Sequence, residues 1–332
     1  SLVVSRGCPH HCDFCYKESF FQGGKSFYTQ TVDRTLAEIE ALPGKHLYFL
    51  DDNLFGNPRF SAALFEGMQG MNRLWQAAGT VRAVLEAPIL EKAAAAGLRS
   101  LFIGFESLNR DNLQAQRKHH NLRGWEPSQP YEQAIHRLHD LGVMINASFV
   151  FGMDRDDPGV FRRTVEWAIQ QGIETATFHI LTPYPGTRLH QRLSAQGRIF
   201  TSDWDLYDTR HAVFQPAGMT PEALEAGYRQ AYHDFYTWGS ILQGAGAHQG
   251  WGHRLRHLAY AGGWKKFEPW WDWVIRLQRV ANFRPLLEAL LAGGCPSPAT
   301  QTSAGWPSSI TKSRMAWLPN LRASKSSVVL GK

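Results

Sequence analysis

The chain has 332 residues, 43% of them hydrophobic, which supplies ample material for a folded core and excludes a disordered chain. Its net charge of +6 is unevenly placed, because residues 251–332 hold 12 Lys/Arg against 3 Asp/Glu and leave 23 against 26 in residues 1–250. A mildly acidic first three-quarters argues against a nucleic-acid enzyme, which carries a basic footprint at its site, and no apolar run approaches the roughly 18 residues of a membrane span.

From Ser1 to about Thr182 one theme repeats: a short apolar run, then a helical pattern, then a turn marked by glycine. The pattern predicts strands at 2–5, 46–50, 80–84, 100–105, 143–150 and 175–181, with helices at 31–42, 59–78, 88–96, 131–141 and 158–171 between them. Gly97, Gly142 and Gly172 stand where a helix C-terminus needs positive φ, and Thr31 and Pro158 stand at helix starts. Alternation of this kind predicts an α/β fold with parallel strands and crossover helices.

Directly after the first predicted strand comes Cys8-Pro9-His10-His11-Cys12-Asp13-Phe14-Cys15, which places three of the four cysteines within eight residues. Three thiolates so close on one loop all reach a single small inorganic centre. A [4Fe-4S] cube takes four cysteines, so three leave one iron open to an exchangeable ligand such as the amine and carboxylate of S-adenosylmethionine. Zinc is the alternative, but structural zinc sites present two separated ligand pairs and no second pair follows. A disulfide framework does not suit a chain of this length with Cys295 far away, and reduced thiols without a secretory leader give the expectation of a cytoplasmic protein.

The motif, with Phe14 immediately before its last cysteine, resembles the signature of the radical S-adenosylmethionine superfamily. The resemblance implies that Cys8, Cys12 and Cys15 hold the cluster, that Phe14 flanks the adenine of the cofactor, and that an electron from the cluster splits S-adenosylmethionine into methionine and a 5′-deoxyadenosyl radical. An external donor of flavodoxin or ferredoxin type supplies that electron. It also implies a partial (β/α)6 barrel of TIM-like kind, with the site at the C-terminal ends of the strands.

Polar residues stand at those ends. Asp51-Asp52-Asn53 follows the second strand, where the family often has a Gly-Gly-Glu segment that binds the methionine amine; Asp52 and Asn53 are the residues expected there, and an Asx turn capping the next helix is the bland alternative. The fourth strand ends in Gly104-Phe105-Glu106-Ser107, and the resemblance gives Glu106, with Gly104 and Ser107 beside it, to the cofactor ribose; a structural salt bridge is the alternative for Glu106. In the fifth strand Asn146 and Ser148 share one face by period-two geometry, which in a barrel is the lumen, where they either touch the cofactor or form a polar network.

The segment Thr182-Pro183-Tyr184-Pro185-Gly186-Thr187, with Lys118-His119-His120-Asn121 and Met219-Thr220-Pro221-Glu222, resembles the branch of the superfamily that carries a cobalamin-binding domain ahead of the radical domain. Members of that branch include methyltransferases acting on unactivated carbon and ring-forming oxidoreductases, and a methylthiotransferase-like enzyme without cobalamin is the neighbouring reading. The Asp-x-His-x-x-Gly pattern of a cobalamin domain is absent from these residues, so the expectation is a fragment of a longer protein. A non-enzymatic iron–sulfur carrier needs neither an open iron nor Glu106. The expected substrate is a small or lipid-like molecule.

The expected domains are a barrel at 1–199, a helical accessory region at 200–292 and a disordered tail at 293–332, which is Ser/Pro/Thr-rich with five basic and no acidic residues. Residues 221–242 predict one amphipathic helix whose aromatics are packing. Trp251, Trp264, Trp270, Trp271 and Trp273, interleaved with Arg254, Arg256, Lys265 and Lys266, predict a helical lid over the open side of the barrel, with contact to a membrane surface as the alternative.

Overall fold

A computed structural model gives the fold over residues 1–21, 24–86, 88–121 and 128–276. The predicted tail at 293–332 with Cys295, residues 277–292 of the accessory region, and the side chains of Lys266, Trp270, Trp271 and Trp273 lie outside the described residues. In chain order the elements are β1 (Ser5–Gly7), α1 (Lys17–Phe21), β2 (Phe27–Thr29), α2 (Val32–Ala41), β3 (His46–Tyr48), α3 (Pro58–Met68), β4 (Leu74–Gly79), α4 (Val81–Leu85), α5 (Ile89–Ala95), β5 (Leu98–Glu106) and α6 (Arg110–Ala115). They continue with α7 (Ser128–Asp140), β6 (Met144–Phe151), α8 (Val160–Gln170), β7 (Thr175–Ile180), α9 (Arg188–Ala195), α10 (Pro221–Phe235), α11 (Trp238–Ala247) and α12 (Trp251–Arg276).

Strands β3 to β7 form one parallel sheet in sequential order, curled into a half-barrel with helices on its crossovers. Leu2 adds a further position, bridging Phe49 in parallel: its N–H donates to Tyr48 O at 3.0 Å and its carbonyl accepts from Leu50 N–H at 2.9 Å. The predicted strand at 2–5 runs no further because a side chain takes over its ladder. The Asp51 carboxylate accepts from the Val4 N–H at 3.1 Å, from the Ser5 N–H, and from the Ser5 hydroxyl at 2.6 Å. The chain then leaves the sheet and β1 pairs antiparallel with β2, Ser5 opposite Thr29 and Gly7 opposite Phe27.

On the helix-facing side of the sheet, Leu101, Ile103, Ile145, Ala147, Phe149, Ala176 and Phe178 join Leu90, Ala134, Ile135, Leu138 and Ala168 of the crossover helices in one buried core. Phe149 stacks on Phe105 and Phe178, with ring centroids 5.8 and 5.9 Å apart, so this layer is a packed aromatic ladder.

Two predicted elements are corrected. The helix expected over 59–78 ends at Met68, because Gly70 and Asn72 take φ of 86° and 52°, and the strand expected at 80–84 is instead Leu74–Gly79. Its Gln-Ala-Ala-Gly stretch has weak strand propensity, whereas the β-branched run after it reads as a strand. That run is α4: the Thr80 Oγ1 accepts from the Ala83 N–H at 3.3 Å and caps a helical turn. Pro158 also falls outside its predicted helix, since α8 is capped at Gly159 and the Asp157 Oδ1 accepts from the Gly159 N–H at 2.7 Å.

The helix predicted over 221–242 breaks at Tyr236, and Thr237 caps α11 through the Ser240 N–H at 3.0 Å. Its aromatics are packing, as expected, and they also finish the sheet. Strand β7 is an edge, and an edge leaves unpaired backbone groups. The Tyr236 hydroxyl donates to Ala176 O at 2.9 Å and accepts from the Ala176 N–H at 3.1 Å, and the Tyr232 hydroxyl accepts from the Phe178 N–H at 3.1 Å. The lid expectation is not met by the described part of the Trp-rich region. Arg256 bonds the carbonyl of Gly142, which precedes β6, and α11 abuts Gly172, which precedes β7, so this region packs at the N-terminal ends of the strands.

Candidate active site at the C-terminal ends of the strands

Parallel register carries one face across three strands. Phe102 stands opposite Asn146 and Asn146 opposite Thr175; Gly104 stands opposite Ser148 and Ser148 opposite Thr177. The intervening Ile103, Ala147 and Ala176 are in the helix-facing core, so Asn146 and Ser148 share the lumen as predicted. The Asn146 Oδ1 is buried without a hydrogen-bond partner. One step further Val150 pairs with His179, a lumenal histidine that the sequence pattern did not single out. Burial holds its imidazole below the ordinary value, and its Nδ1 lies 3.2 Å from Thr209 Oγ1.

Cys8, Cys12 and Cys15 lie on the connection between β1 and α1, and all three are free thiols. The loop is pinned by backbone hydrogen bonds, Cys8 N–H to Ser26 O at 3.0 Å, Asp13 N–H to Gln116 O at 3.0 Å, and Leu189 N–H to Asp13 O at 3.1 Å. The buried Asp13 carboxylate sits among Arg117, Arg188 and Arg192 at 3.5, 3.8 and 3.8 Å, which ties the loop both to the segment after α6 and to α9. Phe14, half-buried, packs against the buried cluster that contains Leu181, Leu189 and Phe214. His10 stacks on His120 with centroids 3.8 Å apart; burial, then the Lys118 charge, holds them down to about 4 and about 2, so both rings are neutral.

At the end of β5 the register slips between Gly104 and Glu106, and Glu106 adopts φ of 67°. Its Oε1 meets the Lys118 Nζ at 2.5 Å, with both side chains only 9% exposed. Burial alone pulls the Lys118 ammonium down, but the Glu106 carboxylate, followed by the Cys12 sulfur, outweighs it and lifts the group above its usual value. Gly104 makes the pair fit, since a Cβ there would lie 2.2 Å from Glu106 Oε1 and 2.9 Å from Lys118 Nζ. Lys118 also stands 5.9 Å from the Phe14 ring centroid, which joins the cysteine loop to the strand end. Asn121 and Tyr131 brace this end, the Tyr131 hydroxyl donating to Phe105 O at 2.7 Å and the Asn121 amide to Gly104 O at 3.0 Å. The Ser107 hydroxyl accepts from the Asn109 N–H at 3.1 Å, a local turn contact.

After β3 the three polar residues divide their work. Asp51 holds Val4 and Ser5, and Asp52 accepts from the Gly7 N–H and the Tyr16 hydroxyl, both at 2.9 Å, gripping the cysteine loop at each end. Asn53 is buried beside Cys8, with its Nδ2 3.5 Å from the Cys8 sulfur and its Oδ1 without a partner. None of them caps the following helix, which Asn57 does by accepting from Arg59 and Phe60 N–H at 3.2 Å.

These residues fit a thiolate-bound iron–sulfur centre with a ligand at its open iron. Burial pushes the Cys12 thiol up to about 12 and raises that of Cys15, so these two thiols stay protonated until a metal replaces the proton. Lys17, Lys118 and Arg82 supply positive field around the loop, which suits an anionic cluster. The unpaired acceptors Asn53 Oδ1 and Asn146 Oδ1 are what a ligand with amine and hydroxyl donors would satisfy.

Residues 2–168 match the model of the Radical SAM superfamily. The chain is 32% identical over 248 residues to the bacteriochlorophyllide d C-12(1)-methyltransferase of Chlorobaculum tepidum, across 73% of this chain and 52% of that protein. It is 26% identical over 256 residues to the bacteriochlorophyllide d C-8(2)-methyltransferase of the same organism, across 73% and 54%. Among solved structures, the cobalamin-dependent S-adenosylmethionine radical enzyme OxsB, with aqua-cobalamin bound, superposes at a TM-score of 0.55 with 13% identity, across 80% of this chain and 45% of that one. The chain spans about half the length of the curated relatives it matches.

Proposed function

From the premise that this chain belongs to the radical SAM superfamily, and is therefore part of an enzyme, we propose that it uses S-adenosylmethionine at a [4Fe-4S] cluster held by Cys8, Cys12 and Cys15, for methyl transfer to, or oxidative modification of, an unactivated carbon. The observation that carries this reading is the trio of free thiols on a loop pinned beside the Glu106–Lys118 pair at the mouth of a polar lumen. A cluster bound there supplies the electron for reductive cleavage of the sulfonium.

The chain's own residues do the positioning. Asn53 offers its free Oδ1 to the methionine amine, Glu106 and Gly104 border the ribose, Phe14 flanks the adenine, and Asn146 and Ser148 line the lumen beneath. Asp52 and Ser107 act through the backbone they hold rather than on the cofactor. His10, within the cysteine loop, stacks on His120 and ties the loop to the segment after α6. Cobalamin, bound by a part of the protein outside these residues, is the second reagent of the methyl-transfer reading, supported by the resemblance of residues 182–187 to the cobalamin-associated branch. The substrate class is a small or lipid-like molecule, and the electron comes from a flavodoxin- or ferredoxin-type donor.

The test is product analysis of reduced, cluster-loaded protein. Equal amounts of 5′-deoxyadenosine and methionine, with no S-adenosylhomocysteine until a cobalamin-loaded domain is supplied, are the expected result. Robust methyl transfer with no cobalamin present would move the assignment to a cobalamin-independent radical enzyme.

A further inference from the structure

At the opposite end of the barrel, four titratable side chains from four segments converge. Glu174 precedes β7, His139 ends α7, His248 follows α11, and His257 lies on α12. The Nε2 of His139 is 3.5 Å from Glu174 Oε2, the Nε2 of His248 is 3.8 Å from Glu174 Oε1, and these three ligating atoms all lie within 4.8 Å of one another. The Nδ1 of His257 is 3.0 Å from the Nε2 of His248. A zinc with ligands at about 2.0–2.1 Å needs donor–donor edges of about 3.3 Å, so His139, Glu174 and His248, whose ligating atoms lie within 4.8 Å of one another, draw in slightly around an ion.

The surroundings orient the donors as metal sites do. Glu174 Oε2 accepts from the Ile145 N–H at 2.9 Å, and the His257 ring bonds the backbone of Gly172, which directs its other nitrogen toward His248. Glu174, His248 and His257 are buried at 4, 5 and 2% exposure. The His139 Nε2 is a buried nitrogen without a hydrogen-bond partner, aimed at the carboxylate. Close packing is built in, since a Cβ on Gly244 would lie 2.9 Å from His257 and one on Gly172 would lie 3.2 Å from His248.

We propose that His139, Glu174 and His248, with His257 beside His248, form a site for a divalent transition metal of the zinc class, which fastens the α11–α12 hairpin to the N-terminal ends of β6 and β7. Two imidazoles and a carboxylate without sulfur suit Zn²⁺ or a neighbouring first-row ion rather than Mg²⁺ or Ca²⁺. The site is separate from the cysteine loop and does not depend on the reaction proposed there.

The experiment uses the full chain with its cluster loaded anaerobically, so that the cysteines are occupied, followed by titration with Zn²⁺, metal analysis and zinc-edge X-ray absorption. The expected result is one zinc per chain with only nitrogen and oxygen neighbours at about 2.0–2.1 Å. Glu174→Gln and His248→Gln should each weaken binding at least about tenfold with iron content unchanged. His139→Gln, at the partly exposed rim of the cluster, carries the same test if either of those fails to fold. Absence of bound zinc, sulfur in its shell, or undiminished binding in His139→Gln would overturn the site.

Discussion

Replacing Lys118 by methionine leaves the Glu106 carboxylate in place without its cation. The two side chains are each 9% exposed and meet at 2.5 Å, so the pair lies in the regime where removal of one partner strands a buried charge, at a cost of about 3–5 kcal/mol. Against a total domain stability of about 5–15 kcal/mol this is a large fraction. Glu106→Gln strands the ammonium instead and should lose a similar amount, whereas the double variant Glu106→Gln/Lys118→Met should recover much of the loss, because no unpaired charge remains. Urea melts followed by circular dichroism on the iron-free protein give the three differences, and their non-additivity is the coupling energy. Single losses below about 1 kcal/mol that simply add in the double variant are the signature of a solvated pair. That outcome would refute the argument that Glu106 and Lys118 form a buried unit on which the mouth of the site is built.

Tyr236→Phe removes a hydroxyl that both donates to and accepts from Ala176 on the edge of the sheet, and should cost about 1–3 kcal/mol in the same melts; an unchanged midpoint would show that the edge needs no cover. Gly104→Ala drives a methyl against Glu106 and Lys118, so it should cost about 1–3 kcal/mol in the parent and less in a Glu106→Ala/Lys118→Ala background, where the groups it meets are gone; equal losses in the two would remove the steric explanation. Asp156, buried where it accepts from the Gly152 and Met153 N–H groups at 2.9 and 3.0 Å, is raised by burial from 3.8 to about 6. The folded state therefore binds this proton more tightly than the unfolded chain, and stability falls as pH rises from about 4 to about 6, by about 3 kcal/mol for this group. Asp156→Asn cannot titrate and should lose this pH dependence, and an unchanged slope across the window would contradict the assignment.

Much of this was legible in the sequence, because the signals were local. Three cysteines at fixed spacing, strands rich in branched residues at 143–150 and 175–181, and glycines before Leu98, Val143 and Ile173 each state their own structure. The failures were of another kind. Leu74–Gly79 is a strand made of small residues held by its neighbours, and Val81–Leu85 is a helix whose β-branched composition says otherwise until Thr80 is seen as a cap. Lys118 stood out only within a segment of family resemblance, and its pairing with Glu106 was not legible, since the two meet only when the segment after α6 folds back. The same holds for Asp13 among its three arginines and for Glu174 among its histidines, which depend on contacts distant in the chain. Asp52, expected near the methionine amine, accepts from the Gly7 N–H and the Tyr16 hydroxyl and so clasps the loop, a role that the sequence does not display because these partners lie far from it in the chain.

The central claim is that Cys8, Cys12 and Cys15 alone hold a cluster with one open iron. Mössbauer and paramagnetic resonance spectra of anaerobically reconstituted protein, taken with and without S-adenosylmethionine, test it directly. One [4Fe-4S] cluster per chain should form, one of its irons should change on addition of S-adenosylmethionine, and Cys12→Ala should lose both the cluster and cleavage of S-adenosylmethionine. Stoichiometric zinc at the thiols without iron, a spectrum indifferent to S-adenosylmethionine, or cleavage undiminished in Cys12→Ala would contradict the account.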